Sequence, residues 1–163
     1  MVNAGAGLLT FFGHGSPYGF DQAIDEPQLY SNAGKYPFLY ANSCYSGDIH
    51  DPNAETVSKK FVFAKAKGSV GFLATTSLGF IYALNDFATY FYRNLTSGKY
   101  NQGIGDVIQA TSFHNSFSGK PEIDFTGLDM TLHGDPAVRI SAGVKCGASS
   151  SSGIRAPERP RCC

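Results

Sequence analysis

The chain lacks any excess of charge of one sign. Its 13 Lys and Arg residues match its 13 Asp and Glu residues, so the formal net charge is zero. Proteins that bind nucleic acid or an anionic membrane usually carry a basic patch that shifts the whole domain towards positive charge. The composition therefore predicts no nucleic-acid partner and no electrostatic attachment to a membrane.

Long apolar runs are absent as well. No stretch reaches the roughly eighteen consecutive apolar residues that a membrane-spanning helix requires, so no span is predicted. The first residues, Met1 to Gly5, have no basic start, and the apolar residues after them belong to a predicted strand. For this reason no signal peptide is predicted either.

Cysteine is scarce, with 4 residues in the whole sequence. Three of them lie in residues 142–163, a Ser-, Arg- and Pro-rich tail that is predicted to be disordered because it cannot bury enough apolar surface. A linker or a lipidated tail remains the functional alternative for its terminal Cys162-Cys163. Cys44 stands alone in the predicted folded part, so it is a free thiol, either a small buried residue or a reactive nucleophile.

What the sequence does contain is a regular alternation of strand and helix patterns. Residues 1–141 are predicted to form one domain, a length that can bury a sizeable core. Short apolar runs predict strands, and stretches with apolar residues three and four apart predict helices; in chain order they are Leu8–Phe12, Phe38–Ala41, helix Glu55–Lys67, Val70–Ala74, helix Ala83–Leu95 and helix Ile104–Phe117. This order favours an α/β fold with a mostly parallel sheet that is covered on both faces.

Two chemically capable side chains follow the first two strands. His14 comes after Leu8–Phe12 and Cys44 after Phe38–Ala41, so neighbouring parallel strands would present both at one edge of the sheet. A cysteine becomes an effective nucleophile when an imidazole within hydrogen-bond reach takes its proton. Gly15 allows a sharp turn, and the N–H groups of Gly15 and Cys44 are predicted to form an oxyanion hole. For either side chain alone a structural role is favoured, but the two together favour catalysis.

The third strand ends in Thr75, Thr76 and Ser77, which would lie at the same edge. They are predicted to line a substrate pocket at that edge, with a plain turn as an equally weighted alternative. Asp48, four residues after Cys44, is interpreted as a turn residue.

The remaining histidines carry weaker signals. His50 and Asp51 could take part in a metal site, but no regular ligand spacing supports one, so no metal site is predicted and a metal-dependent hydrolase ranks last. His114 lies on a predicted helix, where packing or solvent exposure is the expected role.

Three segments together resemble the gingipain-like cysteine peptidases of family C25; they are Phe12-Gly13-His14-Gly15-Ser16, Asn42-Ser43-Cys44-Tyr45-Ser46-Gly47-Asp48 and Leu132-His133-Gly134-Asp135-Pro136-Ala137 with the apolar residues that follow. The resemblance covers about Gly5 to Ile140 and implies a caspase-like (caspase/hemoglobinase) three-layer sandwich. It implies that His14 is the base and Cys44 the nucleophile. The last segment is a structural turn before a strand in that family, so we assign no chemistry to His133 and Asp135.

The resemblance also implies a secreted or cell-surface protein with polypeptide substrates. Some members bind calcium, although no cofactor is required, and one is the sortase-like peptidase of the type IX secretion system, whose components are then candidate partners. A caspase-like sheet normally has strands before the histidine strand, and here only residues 1–7 precede Leu8. Members often orient the histidine with an acid from such a strand, and no residue before His14 is acidic. We therefore expect an incomplete, C-terminal part of the domain.

The function that these observations favour is a cysteine endopeptidase that works through a thioester. A transpeptidase of the sortase type would use the same thioester, with an amine in place of water. A peptidase-like binding or secretion scaffold without turnover is the alternative from another class.

Overall fold

The computed structural model describes residues 2–22, 24, 26–50, 52 and 55–140. Asp51 and the tail at 142–163 lie outside the described residues, so the predictions made for them stay predictions. The strands in chain order are β1 (Leu8–Phe12), β2 (Gly15–Ser16), β3 (Gly19–Phe20), β4 (Phe38–Asn42), β5 (Gly71–Thr75) and β6 (Met130–Gly134). The helices are α1 (Val57–Val62), α2 (Ile81–Arg93), α3 (Ile104–Asn115) and α4 (Pro121–Asp129), with short 3-10 turns at Val2–Ala4 and Pro27–Leu29 and a π-helical turn at Asn94–Gly98.

The main sheet has four strands in the order β1-β4-β5-β6. β1, β4 and β5 are parallel, and their register pairs Phe12 with Asn42 and Ala41 with Ala74. β6 runs antiparallel to β5, with Met130 opposite Thr75. The carboxyl ends of three strands and the start of the fourth therefore meet at one edge of the sheet.

Helices cover both faces of this sheet. β4 is buried at every position, and successive side chains point to opposite faces. Phe38 and Tyr40 pack with α2 and α3, whereas Leu39 and Ala41 pack with α1. Alternate residues of one strand thus reach two separate cores, which confirms the predicted mostly parallel α/β sheet.

The largest core residues are aromatic. Tyr40, Phe87 and Phe91 are fully buried, and the rings of Tyr40 and Phe91 lie 4.8 Å apart between centroids. A buried aromatic side chain contributes roughly 3 kcal/mol or more to stability by the cost of its truncation. No helix among the described residues is long and apolar enough to cross a membrane.

The C-terminal third of the domain differs from the sequence prediction. The residues after Gly134 were expected to form a strand, but the strand is Met130–Gly134 itself, and His133 lies within it rather than in a turn. The helix α4 was not predicted.

The first helix also differs from the prediction. α1 is much shorter than the predicted Glu55–Lys67, because the chain turns back at Phe63 and Ala66 takes a left-handed backbone with φ 58°.

Candidate active site

His14 and Cys44 follow neighbouring strands at the same level. Phe12 is the register partner of Asn42, and each functional residue comes two positions after its strand residue. The prediction that adjacent strands carry both residues to one edge of the sheet is therefore consistent with the observed register.

The backbone of the Cys44 loop is held on both sides of Cys44. The Thr75 hydroxyl donates to the carbonyl of Ser43 at 2.7 Å, and the N–H of Tyr45 donates to the carbonyl of Ser77 at 2.8 Å. The hydroxyls of Ser43 and Ser46 lie 2.5 Å apart beneath the loop. Cys44 is thus the centre of a turn whose flanking peptides are already fixed.

Two backbone features make this loop possible. Tyr45, directly after Cys44, has φ 56°, a left-handed conformation that costs a non-glycine residue about 1–3 kcal/mol. Gly47 lies so close to β5 that an added Cβ would come 2.8 Å from the carbonyl oxygen of Ala74. The N–H of Gly47 also donates to the carbonyl of Thr75 at 2.8 Å. Only a residue without a side chain fits there.

His14 lies in a more open setting. It is exposed at the base of the β2–β3 hairpin, and its carbonyl accepts the N–H of Asp21 at 3.1 Å. His14 and Asp21 both line a cleft of about 460 Å³ along this hairpin. Asp21 is an acid beside the histidine that the sequence argument, which looked upstream, did not consider.

Gly15 joins the two loops. A Cβ at this position would meet the hydroxyl oxygens of Ser46 and Ser43 at 2.5 and 2.7 Å. Glycine therefore allows the histidine segment to rest directly on the cysteine loop.

The thiol itself makes a different contact from the one expected. Cys44 is partly buried, and its Sγ lies 3.7 Å from the carbonyl oxygen of Gly79, to which the S–H donates. Among residues 2–22, 26–50 and 55–140, no hydrogen bond joins His14 to Cys44. The predicted contact between the imidazole and the thiol therefore stays a prediction.

Within the described part of the chain, no hydrogen-bond acceptor is seen for the two N–H groups predicted to form the oxyanion hole. The N–H of Cys44 donates no hydrogen bond within the described part of the chain. In the β2–β3 hairpin, Gly15 lies opposite Phe20, and the next pair, His14 and Asp21, is joined by a hydrogen bond. Because hydrogen-bonded and non-hydrogen-bonded pairs alternate in an antiparallel ladder, Gly15 is at a non-hydrogen-bonded position and its N–H points away from β3. An added carbonyl oxygen could accept from either group.

Thr75, Thr76 and Ser77 direct their polar groups into the protein. Besides the bond from Thr75 to Ser43, the hydroxyl of Thr76 donates to Oδ1 of Asp129 at 2.5 Å. The N–H and hydroxyl of Ser77 donate to Oδ2 of the same carboxylate at 3.1 and 2.9 Å. A role of these residues in substrate binding remains a prediction, while the structure gives them a role in holding the loop.

His133 lies behind the cysteine loop on β6. Its ring packs edge-on against Phe72, with the centroids 6.3 Å apart. Burial lowers the pKa of His133, and the nearby backbone of Gly47 opposes this shift. Its Nε2 is buried without a partner among the described residues. We therefore expect a neutral imidazole that supports the loop.

The other polar residues weighed from the sequence have simple surroundings. Asp48 accepts the N–H of His50 at 2.9 Å, as expected of a turn residue. His114 is exposed and stacks on Tyr90. Within the described ranges, no group of three or more His, Cys, Asp or Glu residues is placed to hold a metal ion.

Comparison with known proteins adds to this geometry. The family model described as peptidase family C25 matches residues 1–141. No curated protein sequence matches the chain.

Three solved structures share the fold. The crystal structure of the Arg-specific cysteine proteinase gingipain R is 18% identical with a TM-score of 0.70, and a complex of Porphyromonas gingivalis RgpB pro- and mature domains is 20% identical with a TM-score of 0.74. A structure described only as a protease is 13% identical with a TM-score of 0.74. Each match covers 85% of this chain but 34%, 35% and 36% of the other chain, respectively. The chain thus spans about a third of the length of these proteins.

Proposed function

The chain belongs to peptidase family C25, with the caspase-like fold of its gingipain neighbours, and from this premise we propose that it carries the nucleophile and base of a cysteine endopeptidase. The observation that supports the proposal most directly is the shared level of His14 and Cys44 at the carboxyl edge of two parallel strands. The hydrogen bonds that fix the backbone on both sides of Cys44 suit a nucleophile, because an attacking atom that is already in position lowers the entropic cost of reaction.

In the proposed reaction, His14 takes the thiol proton of Cys44 and the sulfur forms a bond to the carbonyl carbon of a substrate peptide. The carbonyl oxygen becomes an oxyanion, which the free N–H groups of Gly15 and Cys44 stabilise. The C–N bond then breaks, and His14 returns its proton to the leaving amine. The products of this step are a thioester on Cys44 and a free amino terminus.

Water completes the cycle by attacking the thioester, with His14 as the base, and releases the acid product. An amine in place of water would form a new peptide bond, which is the transpeptidase variant of the same chemistry. A dipeptide amide added in excess distinguishes the two variants, because only a transpeptidase converts the acyl group mainly into a ligated product.

We carry three further statements as proposals by family resemblance: polypeptide substrates, a secreted or cell-surface location, and type IX secretion components as partners. Calcium is proposed by the same resemblance. The described residues offer no group of three or more side-chain ligands for it, and no step of the reaction is assigned to the ion.

A second function has one observation in its favour. The thiol of Cys44 donates to Gly79 rather than to His14, which is also what a peptidase-like scaffold without turnover would show. Such a scaffold would bind polypeptide at the same edge of the sheet without forming a thioester.

The rate of alkylation of Cys44 by iodoacetamide near neutral pH separates the two functions. Peptide mass spectrometry follows Cys44 separately from the cysteines of the tail. A peptidase predicts a rate well above that of a free cysteine in a denatured control, and His14→Ala removes the difference. Equal rates for Cys44, the denatured control and His14→Ala contradict the peptidase and favour the scaffold.

A further inference from the structure

Asp129, the last residue of α4, has a carboxylate that is devoted to the loop after β5. It accepts the hydroxyl of Thr76 and both the N–H and the hydroxyl of Ser77, at 2.5, 3.1 and 2.9 Å. Its backbone carbonyl also accepts the N–H of Thr76 at 3.3 Å. Hydrogen bonds to an ionised acceptor are about twice as strong as neutral ones, so this carboxylate fixes both residues.

The same loop holds the nucleophile. The carbonyl of Ser77 accepts the N–H of Tyr45, and the Thr75 hydroxyl donates to Ser43. Asp129 is thereby connected to the peptide that follows Cys44 through one intervening residue. The contact is long-range in sequence, since 52 residues separate Asp129 from Ser77.

Resting on the proposed function, we propose that Asp129 is a positioning residue for that reaction. Its carboxylate holds the loop of Thr76 and Ser77, the carbonyl of Ser77 holds the N–H of Tyr45, and this bond fixes the peptide that follows Cys44. Asp129 touches neither substrate nor sulfur, and acts only through the loop.

A positioning role and a purely electrostatic role predict opposite results when the charge is removed. An anion near a thiol disfavours the thiolate, so loss of the charge alone would increase reactivity at neutral pH. Loss of position reduces the fraction of molecules in which the sulfur meets the imidazole, which decreases reactivity at neutral pH. At alkaline pH all thiols are ionised, and help from the imidazole no longer matters.

The test is site-resolved alkylation of Cys44 by iodoacetamide in Asp129→Asn, near neutral pH and at alkaline pH. We expect a decrease of about tenfold near neutral pH, of the order that small displacements of reacting groups produce, and an unchanged rate at alkaline pH. An unchanged or faster neutral rate overturns the proposal. An equal decrease at both pH values also overturns it, because that result indicates loss of access rather than of position.

Asp124→Asn is the matched control. Asp124 lies on the same helix, and its carboxylate likewise accepts the N–H and the hydroxyl of a serine, Ser118, at 3.2 and 2.7 Å. It has the same kind of bonds but no connection to the cysteine loop, so its substitution should leave the neutral rate of Cys44 unchanged. A decrease equal to that in Asp129→Asn contradicts the proposal.

If Asp129→Asn fails to fold, two substitutions of Thr76 test the proposal instead. Thr76→Val removes the donor to Asp129, whereas Thr76→Ser retains it, and the side chain lies outside the core. The proposal expects a slower neutral rate in the first variant and recovery in the second; equal rates in both overturn it. If wild-type Cys44 reacts no faster than a free thiol, the proposed function itself is wrong. If wild-type Cys44 reacts fast and Asp129→Asn reacts equally fast, only the positioning role of Asp129 is wrong.

Discussion

The two loops that carry the proposed dyad leave neighbouring strands at the same level, yet they are held very differently. A hydrogen bond from the Thr75 hydroxyl to Ser43 and one from the N–H of Tyr45 to the Ser77 carbonyl fix the peptides on both sides of Cys44. His14 is exposed at the base of a hairpin of two-residue strands. The nucleophile is therefore placed by the sheet itself, and the base belongs to the more adjustable element.

The two loops are therefore stabilised by different kinds of interaction. Each hydrogen bond contributes about 1 kcal/mol net to stability, and the cysteine loop uses several of them to keep one strained residue in place. The histidine segment relies on close contact instead, through Gly15 on Ser43 and Ser46. Substitutions at the two glycines should reveal the difference.

The largest effect is expected for Gly47→Ala. The new Cβ would lie 2.8 and 3.0 Å from the carbonyl oxygens of Ala74 and Thr75, and backbone atoms in the middle of a sheet cannot move aside. We expect a loss of about 3 kcal/mol in the free energy of unfolding, measured by urea denaturation, together with loss of enhanced alkylation at Cys44. Gly7→Ala is the control, because nothing lies within 4 Å of a Cβ there; equal losses in the two variants would show that the contact with β5 is not limiting.

Gly15→Ala should have a smaller effect on stability and a selective effect on chemistry. The atoms in its way are mainly serine hydroxyls, which can rotate, so we expect a loss of about 1–2 kcal/mol. The displaced segment carries His14 away from Cys44, and the alkylation rate near neutral pH should fall to that of His14→Ala. A variant that keeps the wild-type rate would show that the two loops do not depend on this contact.

The decline of Tm at mildly acidic pH should depend on His133, and we expect this effect to be smaller than that of either glycine substitution. Because burial lowers its pKa when folded, the unfolded chain binds the proton more readily. The contribution of His133 to stability is thus complete above the ordinary pKa of 6.5 and is lost as the pH falls from there through the folded pKa. His133→Gln, which cannot titrate, should flatten the decline of Tm between neutral and mildly acidic pH.

His50→Gln provides the comparison for that experiment. His50 is exposed, so its replacement should leave the wild-type decline of Tm in place. An identical decline in wild type and His133→Gln would contradict the assignment of acid sensitivity to the histidine behind Gly47.

The smallest effect is expected for Tyr45→Asn. Asparagine tolerates the left-handed conformation better than tyrosine, so the free energy of unfolding should rise by up to about 1 kcal/mol. Tyr36→Asn is the control, because Tyr36 has a matching exposure of 39% against 38% and an ordinary backbone. A loss of stability in Tyr45→Asn equal to that in the control would mean that the tyrosine ring, and not the backbone, matters at this position.

The sequence predicts the parallel part of the fold almost to the residue. β4 and β5 are short, mostly apolar runs that are buried at every position, as is typical of strands covered on both faces, whereas β1 is a similar run at the edge of the sheet that is only partly buried. The predicted β1 and the observed one share the bounds Leu8–Phe12, and α2 follows its apolar residues three and four apart. Strong periodicity and deep burial come from the same cause, so these elements were predictable.

The two elements that the sequence analysis did not predict, β6 and α4, are those whose burial leaves no clear apolar pattern in the sequence. β6 is only half-buried, and its Leu132-His133-Gly134 segment has the composition of a turn. α4 begins at Pro121 and has no clear apolar stripe. The position of Asp129 depends on both elements, because α4 ends and the antiparallel β6 begins at the edge of the sheet where Ser77 lies. No local pattern in the sequence could indicate that pairing.

In the proposed reaction, the contact between the Cys44 thiol and the Gly79 carbonyl affects the order of the first events. A carbonyl oxygen attracts an S–H group, but it repels a sulfur anion. Once the proton leaves, the position against Gly79 becomes unfavourable, and rotation about the Cα–Cβ bond carries the sulfur away from it. In the proposed reaction, transfer of the thiol proton and release of the Cys44 side chain from Gly79 are thus coupled.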